Sequence, residues 1–399
     1  MVIMSWKKLV KKQIKRDIYM WNIEEIKTRK RSVIYQLKKC SNKKEREKLE
    51  ITLATYISML DNSGTIRYTK FYNWMDKLTK GKFTLIKPST KLIVKGESII
   101  NENKDYIDID YLSFLLELSK NISSTESVVK NFSDIIGSKF NFNNNDLIKI
   151  SKLFYSSLND KEIYECAKKI IDDTTALNFT TEYASNYKEA GGITFWDYVY
   201  NKAYCTTIRN KTLFDLQANN HEIMHGIDFY MQQKIPTENY YGFHEIPTYF
   251  IDYLFINYLE TLGLDKNEVQ KLRVKKDANL QNLSYQTNIQ IKNQLVMKKG
   301  LFYLKNFTTE DIMEVMTPNI LKNLLEIQSG VIAYGLNKQF EENYELGLNN
   351  LKTFMKTIIP KDKRPNFSKI GLNENKLINL SFEIGNYSKK YQNNNIKNK

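Results

Sequence analysis

A mainly α-helical protein with a small β element is what this sequence predicts, and three observations carry the expectation. Long runs lack both Gly and Pro, of which the 399-residue chain has only fifteen and six, a balance that suits helices better than a many-turned β fold. Apolar residues recur at spacings of three and four through most of the chain, the period of a helix with one buried face. The 42% of hydrophobic residues supply a large core, and the length allows two or three domains or one large helical body.

Taken in order, residues 5–38 set Trp6, Val10, Ile14, Ile18 and Trp21 at helical spacing, with Lys7, Lys8, Lys11, Lys12 and Lys15 opposite. That pattern suits a domain helix with a solvated face, the commoner case, ahead of a basic helix lying on an anionic membrane. A second helix is expected over 44–60, with Leu49, Leu53, Tyr56, Ile57 and Leu60 on one stripe and Asn62-Ser63-Gly64 ending it. Over 80–96 two short β-like runs flank Lys87-Pro88-Ser89-Thr90 and read as a small hairpin. Helices resume at 109–118, 125–136, 146–158 and 160–172. Paired glycines, Gly191 and Gly192, then precede Ile193-Thr194-Phe195, and Tyr204 to Ile208 follows. This composition suits strands where another backbone comes close.

The next helix carries the chemistry. Leu213, Leu216, Asn220, Met224, Ile227 and Met231 give it a helical period, and it contains His221-Glu222-Ile223-Met224-His225. Residues four apart share a helix face, so His221 and His225 can offer imidazole nitrogens to one metal ion. Glu222 sits roughly 100° around the axis from His221, where it can reach a metal-bound water without being a ligand. A catalytic zinc needs three protein ligands and an open position, and Glu245, downstream at the head of a second apolar run ending at Gly263, is the natural third. All three histidines of the chain lie at 221, 225 and 244. An ordinary buried helix would gain nothing from two of them.

The run His221 to His225, followed by Phe243-His244-Glu245-Ile246-Pro247-Thr248-Tyr249-Phe250-Ile251-Asp252, resembles the thimet oligopeptidase and oligoendopeptidase F family of zinc peptidases. That resemblance implies a large multi-helix zincin-type metallopeptidase fold with its β element near the active site, one Zn2+ ion and a peptide substrate. It also implies His221, His225 and Glu245 as zinc ligands, Glu222 as general base and Asp252 in place of a carboxylate that orients a ligand. Asp228 stands where many members have another histidine, and it can serve the same orienting purpose. Met224 replaces a usual glycine. The family's late Y-x-Y-x-x-G tyrosines fall at Leu325 and Ile327 here, so the oxyanion donor is sought among Tyr240, Tyr241 and Tyr334. By the same resemblance, a strand edge beside the zinc holds the substrate; the residues 188–208 equally suit a plain structural hairpin. Members are mostly longer, which implies a shortened amino-terminal portion.

Beyond Gly263, a solvated helix is expected over 265–276, a helix start at Thr308-Thr309-Glu310-Asp311, and another at Thr317-Pro318. The helix from Pro318 carries Leu321, Leu325, Gln328, Ile332 and Gly335 on one side, its glycines allowing close packing. The domain division that follows is an amino-terminal helical region over 1–130 and a catalytic domain over 131–385. A disordered tail over 386–399 is dominated by Asn, Lys, Tyr and Ser.

The net charge of +15 comes from lysines spread along the chain, and no nucleic-acid-binding motif accompanies it. Cys40, Cys166 and Cys205 are odd in number and too far apart for a disulfide framework or a zinc knuckle. No signal-peptide core or membrane span is visible, so a cytoplasmic protein is expected, its oligomeric state unspecified by any motif. Two functions follow: a zinc-dependent metalloendopeptidase acting on short peptides, or a metal-binding or regulatory protein that keeps the site without turnover. Glu222 favours the first, because a structural metal needs no general base.

Overall fold

The computed structural model describes residues 22–60, 107–123, 140, 142–180, 191–209, 211–232, 243–301, 307–357 and 365–396. Among them are twelve helices and a three-stranded sheet, so the fold is mainly α with a small β element, as the composition led us to expect. The expected hairpin over 80–96 and the helix over 125–136 lie outside the described residues. The chain divides into two compact units. One is drawn from 1–88, 137–235 and 255–268, the other from 89–136, 236–254 and 269–399.

The first unit contains α1 (Ile23–Lys39), α2 (Lys43–Leu60), α4 (Asn144–Ser157), α5 (Lys161–Ile171), β1 (Leu177–Thr180), β2 (Gly191–Asp197), β3 (Lys202–Ile208) and α6 (Leu213–Gln232). Local chemistry sets the helix ends. The Asn22 side chain accepts the amide of Glu25 at the start of α1, with Glu24 and Glu25 at the positive end of the helix dipole and Lys38 and Lys39 at the negative end. Asn143 and Asp146 form a reciprocal capping box at the head of α4, and Asp160 caps α5.

The sheet has strand order β1-β3-β2, with β1 parallel and β2 antiparallel to β3. β3 is buried at every residue after Lys202, as a central strand covered on both faces should be. On β2 the faces separate by alternation. Phe195 joins Tyr204 of β3 in an apolar core with Ile26, Val33 and Leu37 of α1 and Leu49, Leu53, Tyr56 and Met59 of α2. On the opposite face Trp196 stacks on Phe229 of α6, ring centroids 5.6 Å apart, and meets Tyr230 edge-on at 4.9 Å. The sheet is thus packed between the α1–α2 pair and α6. At the end of β2, buried Asp197 accepts the amides of Val199 and Tyr200, each at 2.9 Å, and the Tyr56 hydroxyl. The short β1 is not expected from the sequence.

The second unit contains α3 (Ile109–Ile122), α8 (Lys266–Lys299, most of its length), α9 (Thr309–Val315), α10 (Pro318–Glu342), α11 (Tyr344–Lys356), a 3-10 turn at Ser368–Ile370 and α12 (Glu374–Ile396). α7 (Glu245–Thr261) is one continuous helix whose residues to Leu254 belong here and whose last turns belong to the first unit, where Phe255 meets Phe154 edge-on at 5.0 Å. The expected starts hold: Thr308 and Asp311 form a capping box, and Thr317 caps α10 with Pro318 in its first turn.

Glycines set close approach between these helices. A Cβ on Gly330 would lie 2.7 Å from Leu280, and one on Gly385 would lie 2.1 Å from the Asn121 carbonyl oxygen. Polar bonds tie α3 to three of its neighbours: Tyr111 to Gln328 of α10 at 2.8 Å, Ser119 to Ser284 of α8 at 2.9 Å and Asn121 to Ser381 of α12 at 2.9 Å. α8 runs through 34 residues, far past the expected end at 276, and α12 continues to Ile396, into the stretch expected to be without structure. No helix among the described residues is long and apolar enough to cross a membrane.

Candidate metal centre

α6 is fixed at its first turn by buried Asp215, which accepts the Lys211 amide at 2.9 Å and lies 3.5 Å from Arg209. Lys211 takes a positive φ of 60° there, and its carbonyl accepts the Phe140 amide at 2.7 Å. Mid-helix, Asn219 is held from two sides: it donates to Ser151 of α4 at 2.8 Å and accepts from Thr207 of β3 at 3.1 Å. The Tyr155 hydroxyl donates to the Asn220 carbonyl at 2.8 Å. Gly226 lets the helix close down on its neighbours, since a Cβ there would lie 2.5 Å from Ile170 and 3.1 Å from Ala203. α6 is therefore seated against α4, α5 and β3 along the turns that carry the motif.

His221 and His225 come out half-buried on one face, ring centroids 5.0 Å apart and planes nearly perpendicular at 83°. Two imidazoles so placed suit one tetrahedral metal ion, which two nitrogen donors on adjacent turns can share. Glu222, next to His221 in the chain, is only 5% exposed. Its Oε2 accepts the Thr194 hydroxyl of β2 at 2.8 Å, and its carbonyl lies 3.4 Å from the Cys205 thiol. Burial pushes the Cys205 thiol pKa up, so it stays neutral and serves packing. Asp228 is buried one turn beyond His225.

In the second unit, Glu245 is the first residue of α7, with Pro247 in the same turn, where its missing N–H leaves no bond unmade. Its Oε1 lies 2.9 Å from Nε2 of His244, and the Thr248 hydroxyl lies 3.2 Å from Oε2. His244 is exposed. Asp252, two turns on, is buried and lies 3.7 Å from Lys276, whose ammonium sits 3.4 Å from the Tyr253 ring centroid and donates to the Tyr249 carbonyl. That gives Asp252 a cationic neighbour on α8, which the sequence did not indicate.

Two further groups were missed. The Tyr249 hydroxyl donates to Oε1 of Glu326 on α10 at 3.0 Å. Burial, then the Glu245 charge, raises the Glu326 pKa above the usual carboxylate range, and burial raises that of Tyr249 well above the usual phenol value. No sequence pattern links positions 249 and 326. Of the expected oxyanion donors, Tyr240 and Tyr241 lie outside the described residues. Tyr334 packs edge-on against Tyr253 at 5.9 Å, and its hydroxyl lies 3.3 Å from Oε2 of Glu383. Leu325 and Ile327 are both buried in the apolar core.

No protein-family model and no curated protein matches the chain. Among solved structures it is similar to one described as PZ peptidase A with inhibitor 2, at 12% identity and a TM-score of 0.47, covering 96% of this chain and 99% of that one. It is also similar to a candidate oligoendopeptidase F from Bacillus anthracis str. Ames, at 14% identity and a TM-score of 0.44, covering 85% of this chain and 63% of the other. A candidate peptidase from Chlamydophila abortus is similar at 14% identity and a TM-score of 0.47, covering 86% of this chain and 62% of that one.

Proposed function

We propose that this protein is a zinc-dependent metallopeptidase that hydrolyses short peptides, with His221, His225 and Glu245 holding one Zn2+ ion and Glu222 acting as general base. The observation that carries the reading is the division of labour on α6: two half-exposed imidazoles on one face, and beside them a buried carboxylate held by its own hydrogen bond. The donor set fits zinc by its chemistry, since two imidazoles and one carboxylate are ligands of the kind a catalytic zinc takes, with a position left open for water. When bound, zinc supplies the Lewis acidity that makes water a competent nucleophile near neutral pH. Glu222 takes the proton that the attacking water gives up and returns it to the leaving amine. Asp252 and Asp228 are the carboxylates proposed to orient the imidazoles.

A reading without turnover is favoured by one observation: Leu325 and Ile327, buried and apolar, can donate no hydrogen bond to a developing oxyanion. Hydrolysis of a quenched fluorescent peptide library by the zinc-loaded chain, measured with and without chelator, separates the two readings. The expected result is cleavage that chelator abolishes and added zinc restores. A fully zinc-loaded chain that cleaves no peptide would leave the metal-binding reading standing alone.

A further inference from the structure

Resting on the reading of Glu222 as the base, we infer that β2 is a clamp that fixes the orientation of the Glu222 carboxylate, with Thr194 as the positioning residue and Gly192 as the opening that admits the side chain. Gly192, Thr194 and Trp196 alternate along β2 and so share one face. All three meet α6: Trp196 packs on Phe229 and Tyr230, Thr194 bonds Glu222, and Gly192 lies against the Glu222 side chain.

The approach at Gly192 is close enough to exclude any other residue. A Cβ there would lie 2.3 Å from Cγ and 2.7 Å from Cδ of Glu222, and 2.4 Å from the carbonyl oxygen of Thr206. The last of these is backbone of the central strand and cannot swing aside, so a side chain at 192 would meet a fixed carbonyl as well as Glu222. Thr194 then fixes the far end. Its Oγ1 is 2.8 Å from Oε2 of Glu222 and 2.8 Å from the carbonyl oxygen of the same residue. The Thr194 hydroxyl has one proton to donate, and the two Glu222 oxygens share it.

Glu222 has three rotatable side-chain bonds and almost no solvent contact. With its root on α6, its stem in the slot at Gly192 and one oxygen held by Thr194, its conformation is set before any substrate arrives. Orientation of this kind is what a proton-transfer group requires, because small misplacements are costly in rate.

The test uses the full chain in two measurements. The first is a double-mutant cycle in denaturant unfolding with Thr194→Val and Glu222→Ala. The Glu222→Ala chain keeps the carbonyl acceptor and loses the side chain beyond Cβ, so the cycle measures the coupling of Thr194 to that side chain, in which the Oε2 bond is the polar contact. Thr194→Val should lower the folding constant roughly ten-fold more in the parent than in the Glu222→Ala chain. Equal effects in the two backgrounds overturn the clamp, whatever the catalytic outcome.

The second measurement is peptide hydrolysis. Thr194→Ser should keep kcat, whereas Thr194→Val should lower it by roughly 100-fold with KM and zinc content unchanged. Unchanged kcat in a zinc-loaded Thr194→Val chain overturns the inference, as does a Ser variant no better than Val. If the Val chain fails to fold, Thr194→Ala carries the same two measurements. A zinc-loaded parent that cleaves nothing sinks the peptidase reading, and the unfolding cycle then decides the clamp alone.

Discussion

Glu222 and its neighbour His221 differ in one respect that matters at the scale of residues: the imidazole is half-buried, and the carboxylate side chain is buried and held by Thr194. Removing one should therefore be separable from removing the other. Glu222→Gln preserves size and hydrogen bonding, so zinc stoichiometry measured by elemental analysis should stay at the parent value while peptide turnover falls by roughly 100- to 10,000-fold. Glu245→Ala should do the reverse at the level of metal, losing zinc on gel filtration. A Glu222→Gln chain that still hydrolyses at the parent rate excludes it as the base, and a Glu245→Ala chain that retains zinc at parent affinity excludes that ligand. The expected pairing of His221 and His225 was legible because a four-residue spacing needs only the helix period to interpret. The Thr194 contact was not, because which face of β2 meets α6 depends on packing that no local pattern encodes.

At the scale of elements, glycine positions decide how near the helices lie. Gly385 of α12 sits against the Asn121 carbonyl of α3, and a methyl group there would meet backbone that cannot rotate away. Gly385→Ala should therefore destabilise the protein by about 1–3 kcal/mol, despite alanine's better helix propensity, in denaturant unfolding monitored by circular dichroism. An unchanged or stabilised Gly385→Ala chain would mean that the α3–α12 approach is looser than described. Caps and periodic stripes made most helices readable in advance, among them α2, α4, α5, α9 and α10. α8 escaped because its buried positions include Gln281, Ser284 and Thr287, which interrupt the apolar stripe with residues that read as solvent-facing. Those groups are buried because they find partners, as Ser284 does at Ser119, and partners across 165 residues are invisible to a local pattern. β1 was missed for a related reason. Its four residues are too few to show alternation, and its place is set by pairing with β3.

For the molecule as a whole, a metal that binds only the folded chain must stabilise it by mass action. Zinc at about a thousand times its dissociation constant would add about 4 kcal/mol, so chelation should lower Tm by roughly 5 °C and zinc should restore it. His221→Ala should show no such response, and a parent chain whose Tm ignores both chelator and zinc would argue against a bound ion. The bonds that Asn219 makes to Ser151 and Thr207 bear on how well such an ion can be held. A helix lying in a groove is free to roll about its own axis unless something off-axis stops it. With ligand atoms about 6 Å from the axis, a roll of about 10° carries an imidazole nitrogen about 1 Å, beyond the tolerance of a preorganised site. Asn219 is gripped from α4 on one side and β3 on the other, two positions before His221, and acts as a rotational stop: the aim of the metal-binding imidazoles is set by a neutral amide that touches neither of them.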